Sequence, residues 1–318
     1  MKSVIKFFKQ INRIFMKQNI WTKTAISMGI ILIILIIVNR SAPCNKEGFT
    51  QREKFVLKEG SAIYDDFYCS IYDELVYDNV KNDFEVGELK RLIKPASQSR
   101  VLDIGSGAGH HVKLLNKAGY KAEGVDKSGA MVKEAKKKNP GYTFKQGDAL
   151  ESMLYPSNSF STITCLYFTI YYINDKTLFL QNCYNWLMPG GYLVLHLVNR
   201  DKFDPILNAA DPLVLVSAQK HAVKKLGKRI TNSVVKFKDF QYKANFDLDK
   251  GNNLATFEET FKDDATSHVR QNKHKLYMET QKHILGIAKN IGFVLQGKID
   301  MVTTQYQYQY MYLLYKPQ

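Results

Sequence analysis

The sequence predicts an α/β protein built on a mostly parallel sheet, and three observations support this class. First, the hydrophobic run 101–104 leads directly into a glycine-rich turn, and residues 110–118 follow with the pattern of a helix. Second, short hydrophobic runs then alternate with helical segments, as they do where helices join successive parallel strands. Third, acidic residues stand at the ends of three predicted strands. Such a sheet binds its ligand outside the carboxyl ends of its strands.

The glycine-rich turn contains Gly105, Gly107 and Gly109, and Asp103 stands two residues before the first glycine. Glycines let another molecule approach the unpaired backbone N–H groups at the start of the following helix. A dinucleotide-binding fingerprint would have its third glycine at position 110, which is His110 in this chain. The turn therefore predicts a nucleotide-like ligand that is not a dinucleotide.

This Gly-x-Gly-x-Gly turn resembles motif I of the class I S-adenosylmethionine-dependent methyltransferases. Further elements follow in the order of that family: strands at 121–125, 142–146 and 161–167, a helix at 175–187, and a strand at 192–198. A Leu-x-Pro-Gly-Gly turn that ends at Gly191 is also similar to the family. The resemblance covers about residues 99–200 and implies a Rossmann-like sheet that binds S-adenosylmethionine.

The resemblance also implies which residues bind the cofactor. Asp126, at the tip of the second strand, would accept hydrogen bonds from the ribose hydroxyls, and Asp148 from the adenine amino group. The full predicted set is Asp103, Gly105, Ser106, Gly107, Gly109, Asp126, Lys127, Asp148, Ala149 and Leu166. Ser128 is expected to cap the next helix. One position departs from the family pattern, because Ser161 stands where an acid usually enters the fourth strand.

Several aromatic side chains and one histidine are candidates for the acceptor side of the site. Tyr64 and Tyr72 lie on one face of a predicted helix and either pack against the core or form a lid over the ligand. Tyr167 and Tyr171 follow the fourth strand and either line an acceptor pocket or pack in the core. His196 and Tyr167 are the candidate catalytic residues, although a hydrogen-bonded core histidine is the alternative for His196. No metal site is predicted, because the histidines lack ligand spacing.

The N-terminal region is predicted to anchor the protein in a membrane. Residues 20–39 are mostly aliphatic and long enough to cross a bilayer, residues 1–19 are basic and amphipathic, and residues 40–60 form a polar tether. A cleaved signal peptide is the alternative, but no clear cleavage site follows. We therefore expect a single-pass membrane protein, and the side on which its catalytic part lies stays open.

The remaining chain divides by its patterns of hydrophobic residues. The predicted parts are a helical lid at 61–98, the S-adenosylmethionine-binding core at 99–200, a β-rich insertion at 201–279, and a final helix and strand hairpin at 280–318. Residues 234–248, 254–261 and 268–277 alternate in hydrophobicity, which indicates a small antiparallel sheet. We expect this sheet to cover the carboxyl ends of the core strands.

The favoured function is a membrane-tethered S-adenosylmethionine-dependent methyltransferase that acts on a small-molecule or lipid-associated acceptor. The net charge of +15 suits an anionic partner, but no nucleic-acid-binding module accompanies the core. Two alternatives stay open: methylation of RNA or protein, and a non-catalytic scaffold that binds S-adenosylmethionine. The sequence does not determine the acceptor atom or the oligomeric state.

Overall fold

The computed structural model describes residues 16–17, 19–41, 53–96, 99–205, 231–237 and 239–318. The chain divides into two compact units, residues 1–47 and residues 48–318.

The first unit contains one long helix, α1 (Ile20–Ser41). Among the residues that the structure describes, no helix is both long enough and apolar enough to span a membrane. The predicted transmembrane anchor at 20–39 is therefore not supported, and the prediction of a single-pass membrane protein is wrong.

The described residues of the second unit form both strands and helices. Its strands are β1 (Phe55–Glu59), β2 (Arg100–Ile104), β3 (Lys121–Asp126), β4 (Thr143–Gln146), β5 (Phe160–Cys165), β6 (Leu187–Val198), β7 (Asn232–Lys236), β8 (Phe240–Asp249), β9 (Leu254–Asp263), β10 (Val269–Tyr277), β11 (Val294–Asp300) and β12 (Gln309–Tyr315). Its helices are α2 (Asp66–Val76), α3 (Asn79–Leu92), α4 (His110–Lys117), α5 (Gly129–Lys138), α6 (Thr169–Tyr172), α7 (Lys176–Trp186) and α8 (Gln281–Ile291).

Seven strands form the central sheet in the order β11-β12-β6-β5-β2-β3-β4. Strands β2 to β6 are parallel to one another, whereas β12 is antiparallel to both β6 and β11. The parallel strands are largely buried because helices cover both faces, as is usual for parallel sheets. The predicted α/β class, with an antiparallel hairpin at the end of the sheet, is confirmed.

Side-chain caps determine where most of the helices begin. Each cap accepts a hydrogen bond from the backbone N–H three residues further on, and the five capping residues are Asp65, Asp78, Ser128, Asp175 and Thr280. Such a cap contributes about 1 kcal/mol to helix stability. Ser128 thus caps α5 as predicted. Helix α4 begins differently, because the left-handed Gly109 precedes it and no side chain caps it.

The second sheet has five strands in the order β1-β10-β9-β8-β7. Strands β7 to β10 are antiparallel, as predicted for the insertion, although the predicted run 234–248 is two strands, β7 and β8. Strand β1, in the stretch predicted to be a tether, pairs in parallel with β10. One face of this sheet packs on helix α2 through a shared apolar cluster of Ile63, Tyr68, Ile71, Leu75, Tyr242, Ala244 and Phe261. The N-terminal helices and the insertion therefore fold together.

Candidate active site

A cavity of about 810 Å³ lies between the carboxyl ends of the parallel strands and the second sheet. Its floor includes residues at the ends of β2, β3 and β4, and its roof includes residues of α2, β8, β9 and β10. This volume is within the range of sites that enclose small molecules. The position is also the one at which open parallel sheets bind ligands.

The glycine-rich turn forms part of the floor and is left-handed at all three glycines, with φ of +70° at Gly105, +50° at Gly107 and +84° at Gly109. A methyl group on Gly105 would lie 2.5 Å from Thr169 Oγ1, and one on Gly109 would meet the ring of Phe144. A methyl group on Gly107 would find only Tyr72 Cε1, at 3.9 Å. Gly105 and Gly109 therefore allow close packing of the protein itself, whereas Gly107 faces the cavity.

Asp126 lies at the end of β3 and orders the turn beside it. Its Oδ2 accepts a hydrogen bond from Gly107 N at 2.9 Å, and its Oδ1 accepts one from Ser128 N at 2.8 Å. Burial raises the pKa of this carboxyl group, and the two backbone hydrogen bonds oppose that rise. The carboxylate is thus held in one orientation at the cavity wall, where it has acceptor capacity left for a bound ligand.

Asp148 lies on the cavity floor just after β4, and its Oδ2 is paired with Lys127 Nζ at 2.7 Å. Its Oδ1 also accepts a hydrogen bond from Leu150 N at 3.0 Å. Burial favours the neutral acid, but the hydrogen bonds from Lys127 and Leu150 outweigh it and lower the pKa of Asp148. Asp148 and Lys127 both line the cavity, as does the buried Ala149.

Four of the predicted cofactor-binding residues lie behind the wall of the cavity: Asp103, Ser106, Gly109 and Leu166. Asp103 is almost fully buried and accepts a hydrogen bond of 2.7 Å from Thr164 Oγ1 on the neighbouring strand. Burial raises the pKa of this carboxyl group. Asp103 therefore supports the glycine-rich turn from below and does not reach the cavity.

Two residues predicted for the acceptor side are core residues. His196 is fully buried, contacts Gln309 Oε1 through Nε2 at 3.0 Å, and does not line the cavity. Burial lowers its pKa to about 4. Tyr171 is also fully buried, and its hydroxyl oxygen accepts a hydrogen bond of 2.8 Å from Val198 N. Neither side chain reaches the cavity. The structure therefore favours the alternative that the sequence left open, in which His196 and Tyr171 pack in the core and serve neither as a base nor as an acceptor contact.

Tyr167, the second catalytic candidate, does line the cavity. Its backbone is left-handed, with φ of +55°, a conformation that costs a non-glycine residue about 1–2 kcal/mol. Lys81 Nζ lies 5.2 Å from the centre of its ring. Burial raises the pKa of the Tyr167 hydroxyl well above its ordinary value. Strained backbone of this kind is common beside functional sites.

The predicted pair Tyr64 and Tyr72 lies at the roof of the cavity together with Tyr68 and Tyr172. The ring centres of Tyr64 and Tyr68 are 5.6 Å apart, and Tyr64 lies 6.4 Å from both Tyr72 and Tyr172. We call these four residues the tyrosine cluster. Aromatic faces attract cations, including sulfonium and ammonium groups, so the cluster suits a positively charged reacting centre.

The structure adds three residues to this site that the sequence did not single out. Tyr172 Oη lies 2.9 Å from His274 Nδ1, and His274 Nε2 lies 2.8 Å from Glu259 Oε2. His274 and Glu259 are buried and line the cavity. The alternation of buried and exposed residues along β9 and β10 could have indicated Glu259 and His274, because these polar residues occupy inward-facing positions.

Comparisons with known proteins agree with this fold and site. Residues 101–191 match the family model described as a methyltransferase domain. Over 143 residues the chain is 29% identical to the carboxy-S-adenosyl-L-methionine synthase of Campylobacter curvus, a match that covers 41% of this chain. The matched segment spans 59% of that relative's length.

Solved structures of methyltransferases have the same architecture. The CcbJ methyltransferase from Streptomyces caelestis matches with a TM-score of 0.61 at 14% identity, over 81% of this chain and 100% of that one. CalS10, an amino pentose methyltransferase from Micromonospora echinaspora with S-adenosylmethionine bound, matches with a TM-score of 0.55 at 16% identity, over 78% and 96%. At sequence identities of 14% and 16%, this similarity establishes a shared fold and nothing further.

The fold and the matched segment are those found in S-adenosylmethionine-dependent methyltransferases. Residues 101–191 in particular are a methyltransferase domain, and S-adenosylmethionine is the cofactor of this class. The enzyme class and the cofactor are those that the glycine-rich turn and the order of the strands predicted.

Proposed function

We propose that the whole chain transfers a methyl group from S-adenosylmethionine to a small molecule held beneath the second sheet. The observation that carries this proposal is one continuous cavity that joins two different surfaces. Gly107, Asp126 and Asp148 form one of these surfaces, and the tyrosine cluster forms the other, with Tyr72 next to Gly107. A methyl donor and an acceptor have to meet in a single space, and this cavity offers both kinds of surface.

The residues at the floor fit the cofactor. Gly107 leaves open space above its backbone, and Asp126 is a pre-oriented carboxylate with acceptor capacity for the ribose hydroxyls. Asp148 would accept from the adenine amino group, and Lys127 holds its carboxylate in place. When bound, S-adenosylmethionine supplies an electrophilic methyl group on a sulfonium. The protein's part is to hold the acceptor close to that methyl group and to exclude water.

A small-molecule acceptor is favoured over RNA or protein by the cover over the cavity. Strands β8 to β10 and helix α2 roof the space in which an acceptor would bind. A macromolecule would have to displace these packed elements, whereas a small molecule is accommodated within the cavity. The neighbour CalS10 is by its description a methyltransferase of an amino pentose, a small polar compound, which agrees with this acceptor class.

Isothermal calorimetry with the full chain and S-adenosylmethionine tests the cofactor part of the proposal. We expect binding, and we expect Asp126→Ala to weaken it by at least tenfold, because a hydrogen bond to a charged group contributes about 1.5–3 kcal/mol. Glu151→Ala, at an exposed position just outside the cavity lining, is the matched control and should bind as the natural chain does. Absence of binding by a natively folded chain would contradict the proposal.

The acceptor part is tested by incubation with methyl-labelled cofactor and separate fractions of small metabolites, RNA and protein. We expect label in the small-metabolite fraction together with release of S-adenosylhomocysteine. Label in RNA or protein alone would favour the corresponding alternative. Tight cofactor binding without label in any fraction would favour the non-catalytic scaffold.

A further inference from the structure

We propose that Tyr172, His274 and Glu259 form a relay that takes up the proton released by an amine acceptor during methylation. This inference rests on the function proposed above and deepens it, because it assigns the base and the chemical class of the acceptor. Tyr172 would touch the acceptor and is the catalytic residue, whereas His274 and Glu259 act through it as positioning residues.

The three side chains form one hydrogen-bonded line that leads from the cavity into the second sheet. Tyr172 Oη contacts His274 Nδ1 at 2.9 Å, and His274 Nε2 contacts Glu259 Oε2 at 2.8 Å. The side chain of Tyr172 is 38% exposed and faces the cavity, whereas His274 and Glu259 are each 1% exposed. Only the tyrosine end of this line is therefore accessible to an acceptor.

The direction of the hydrogen bonds follows from the charge of Glu259. Burial favours the neutral acid, but hydrogen bonds from His274, Tyr68 and Tyr242 outweigh it and lower the pKa of Glu259. An ionised carboxylate only accepts, so His274 donates from Nε2–H and keeps a lone pair on Nδ1. Tyr172 then donates its hydroxyl proton to Nδ1. Its oxygen keeps the capacity to accept a proton from the acceptor.

Other residues hold the inner end of the line in place. Tyr242 Oη donates to Glu259 Oε1 at 2.8 Å, and Asn272 Nδ2 donates to Glu259 Oε2 at 3.3 Å. Asn272 is in turn held by Arg270 Nε at 2.8 Å, and Arg270 binds the Asp65 carboxylate at 2.7 and 2.9 Å. Asp65 is the cap of α2, so the orientation of the relay is tied to the helix that bears Tyr68 and Tyr72.

The proposed step conserves atoms and charge. The ammonium nitrogen of the acceptor first passes one proton to Tyr172 Oη while the hydroxyl proton of Tyr172 passes to His274 Nδ1. The lone pair freed on the nitrogen then forms a bond to the methyl carbon, and the carbon–sulfur bond breaks with its electron pair going to sulfur, which gives S-adenosylhomocysteine and the methylated ammonium product. The resulting imidazolium is stabilised by the Glu259 carboxylate and releases its proton to solvent when the product leaves.

An amine suits these surroundings better than an alcohol. Aliphatic amines carry a positive charge at neutral pH, and they have to lose a proton before the nitrogen lone pair can react. The faces of the tyrosine cluster and the ionised Glu259 attract such a cation. Among the described lysines that line the cavity, Lys127 is paired with Asp148, and Lys273 and Lys275 are exposed on β10 at positions that alternate with the buried His274. No described lysine of the cavity lining would therefore take the place of the acceptor amine beside Tyr172.

The first test does not need a known acceptor. Nitrogen NMR of the full chain with labelled histidine, in the presence of S-adenosylhomocysteine, reports which ring nitrogen of His274 carries the proton. We expect the Nε2–H tautomer in the natural chain, and a loss of this preference in Glu259→Gln. The exposed His283 on α8 serves as the internal control and should not respond. A proton on Nδ1 of neutral His274 would overturn the relay, because Tyr172 could not then donate to it.

The second test measures methyl transfer to benzylamine and to benzyl alcohol, which differ only in the nucleophile. We expect transfer to the amine, and a fall in kcat of about 10²-fold in Tyr172→Phe with unchanged affinity for S-adenosylmethionine. Tyr184→Phe, whose ring packs on Phe293 outside the cavity, is the matched control. Glu259→Gln should move the acidic limb of the pH–rate profile to lower pH, since the carboxylate no longer stabilises the imidazolium. If Glu259 had only a structural role, the variant would lower the rate by the same factor at every pH and leave the shape of the pH–rate profile unchanged.

Transfer to benzyl alcohol at an equal or higher rate would overturn the amine assignment. Full activity of Tyr172→Phe would overturn the relay. Neither result resembles failure of the proposed function, which would appear as loss of cofactor binding in the calorimetric titration while the NMR experiment still reports the tautomer of His274.

Discussion

The carboxylate of Asp126 accepts a hydrogen bond of 2.9 Å from the backbone N–H of Gly107, so the end of β3 orders the glycine-rich turn at the end of β2. Asp126→Asn keeps the shape of the side chain but loses its charge. We expect about tenfold weaker binding of S-adenosylmethionine, because hydrogen bonds to charged groups are roughly twice as strong as neutral ones. Calorimetry measures the affinity, and unchanged binding would contradict a role for the carboxylate.

Gly105 and Gly107 should respond differently to alanine. Gly105→Ala combines a left-handed backbone with a clash against Thr169, so we expect a loss of stability of about 2–4 kcal/mol. Gly107→Ala has space for its methyl group and should lose only about 1–2 kcal/mol while cofactor binding weakens. Chemical denaturation measures both losses. Equal destabilisation by the two changes would show that the packing of Thr169 on Gly105 is unimportant.

His196 predicts a pH dependence of stability. Burial holds its folded pKa at about 4, below the ordinary 6.5, so the unfolded chain binds the proton more tightly. Above pH 6.5, His196 is neutral in both the folded and the unfolded chain and does not change the free energy of unfolding. As the pH drops from 6.5 towards 4, the free energy of unfolding falls by about 3 kcal/mol. Glu85, with a pKa lowered from 4.5 to about 2, adds a further loss of stability only below about pH 4.5, at the acidic edge of this window.

The variant His196→Gln removes the titrating group and keeps a partner for Gln309. We expect urea denaturation at several pH values to show a flatter stability profile between pH 6.5 and 4 than in the natural chain. An unchanged slope in this variant would mean that another group causes the loss.

Tyr171 and Tyr172 are adjacent in sequence, yet they should give opposite phenotypes. Tyr171→Phe leaves the buried Val198 N–H without its acceptor, which costs about 1–3 kcal/mol, and it should leave cofactor affinity unchanged. Tyr172→Phe should change stability little and reduce turnover. Thermal unfolding and calorimetry separate these effects, and a catalytic loss in Tyr171→Phe without a stability loss would refute the assignment.

The sequence predicted the central sheet well, because each core strand is a short hydrophobic run that ends at a turn or at an acid. The hairpin between β7 and β8 was missed because its turn contains no glycine or proline and is flanked by aromatic residues: the rings of Phe237 and Phe240 stack with centres 4.8 Å apart. Strand β1 was missed because its partner, β10, lies more than 200 residues further along the chain.

The sequence likewise indicated some residues of the candidate site and not others. Residues that act through local backbone geometry, such as Gly107 and Asp126, could be inferred from spacing. The histidine of the proposed relay could not be inferred, because His196 and His274 look alike in sequence. What distinguishes them is their surroundings: Gln309 on the neighbouring strand encloses the first, whereas Tyr172 connects the second to the cavity.

The pairing of β1 with β10 has a consequence for biosynthesis. The roof needs β1, which precedes the parallel strands in the chain, and β10, which follows them, so it cannot assemble until the ribosome has translated residue 277. The central sheet is completed later still, because β12 pairs with β6 only after residue 315 has been added.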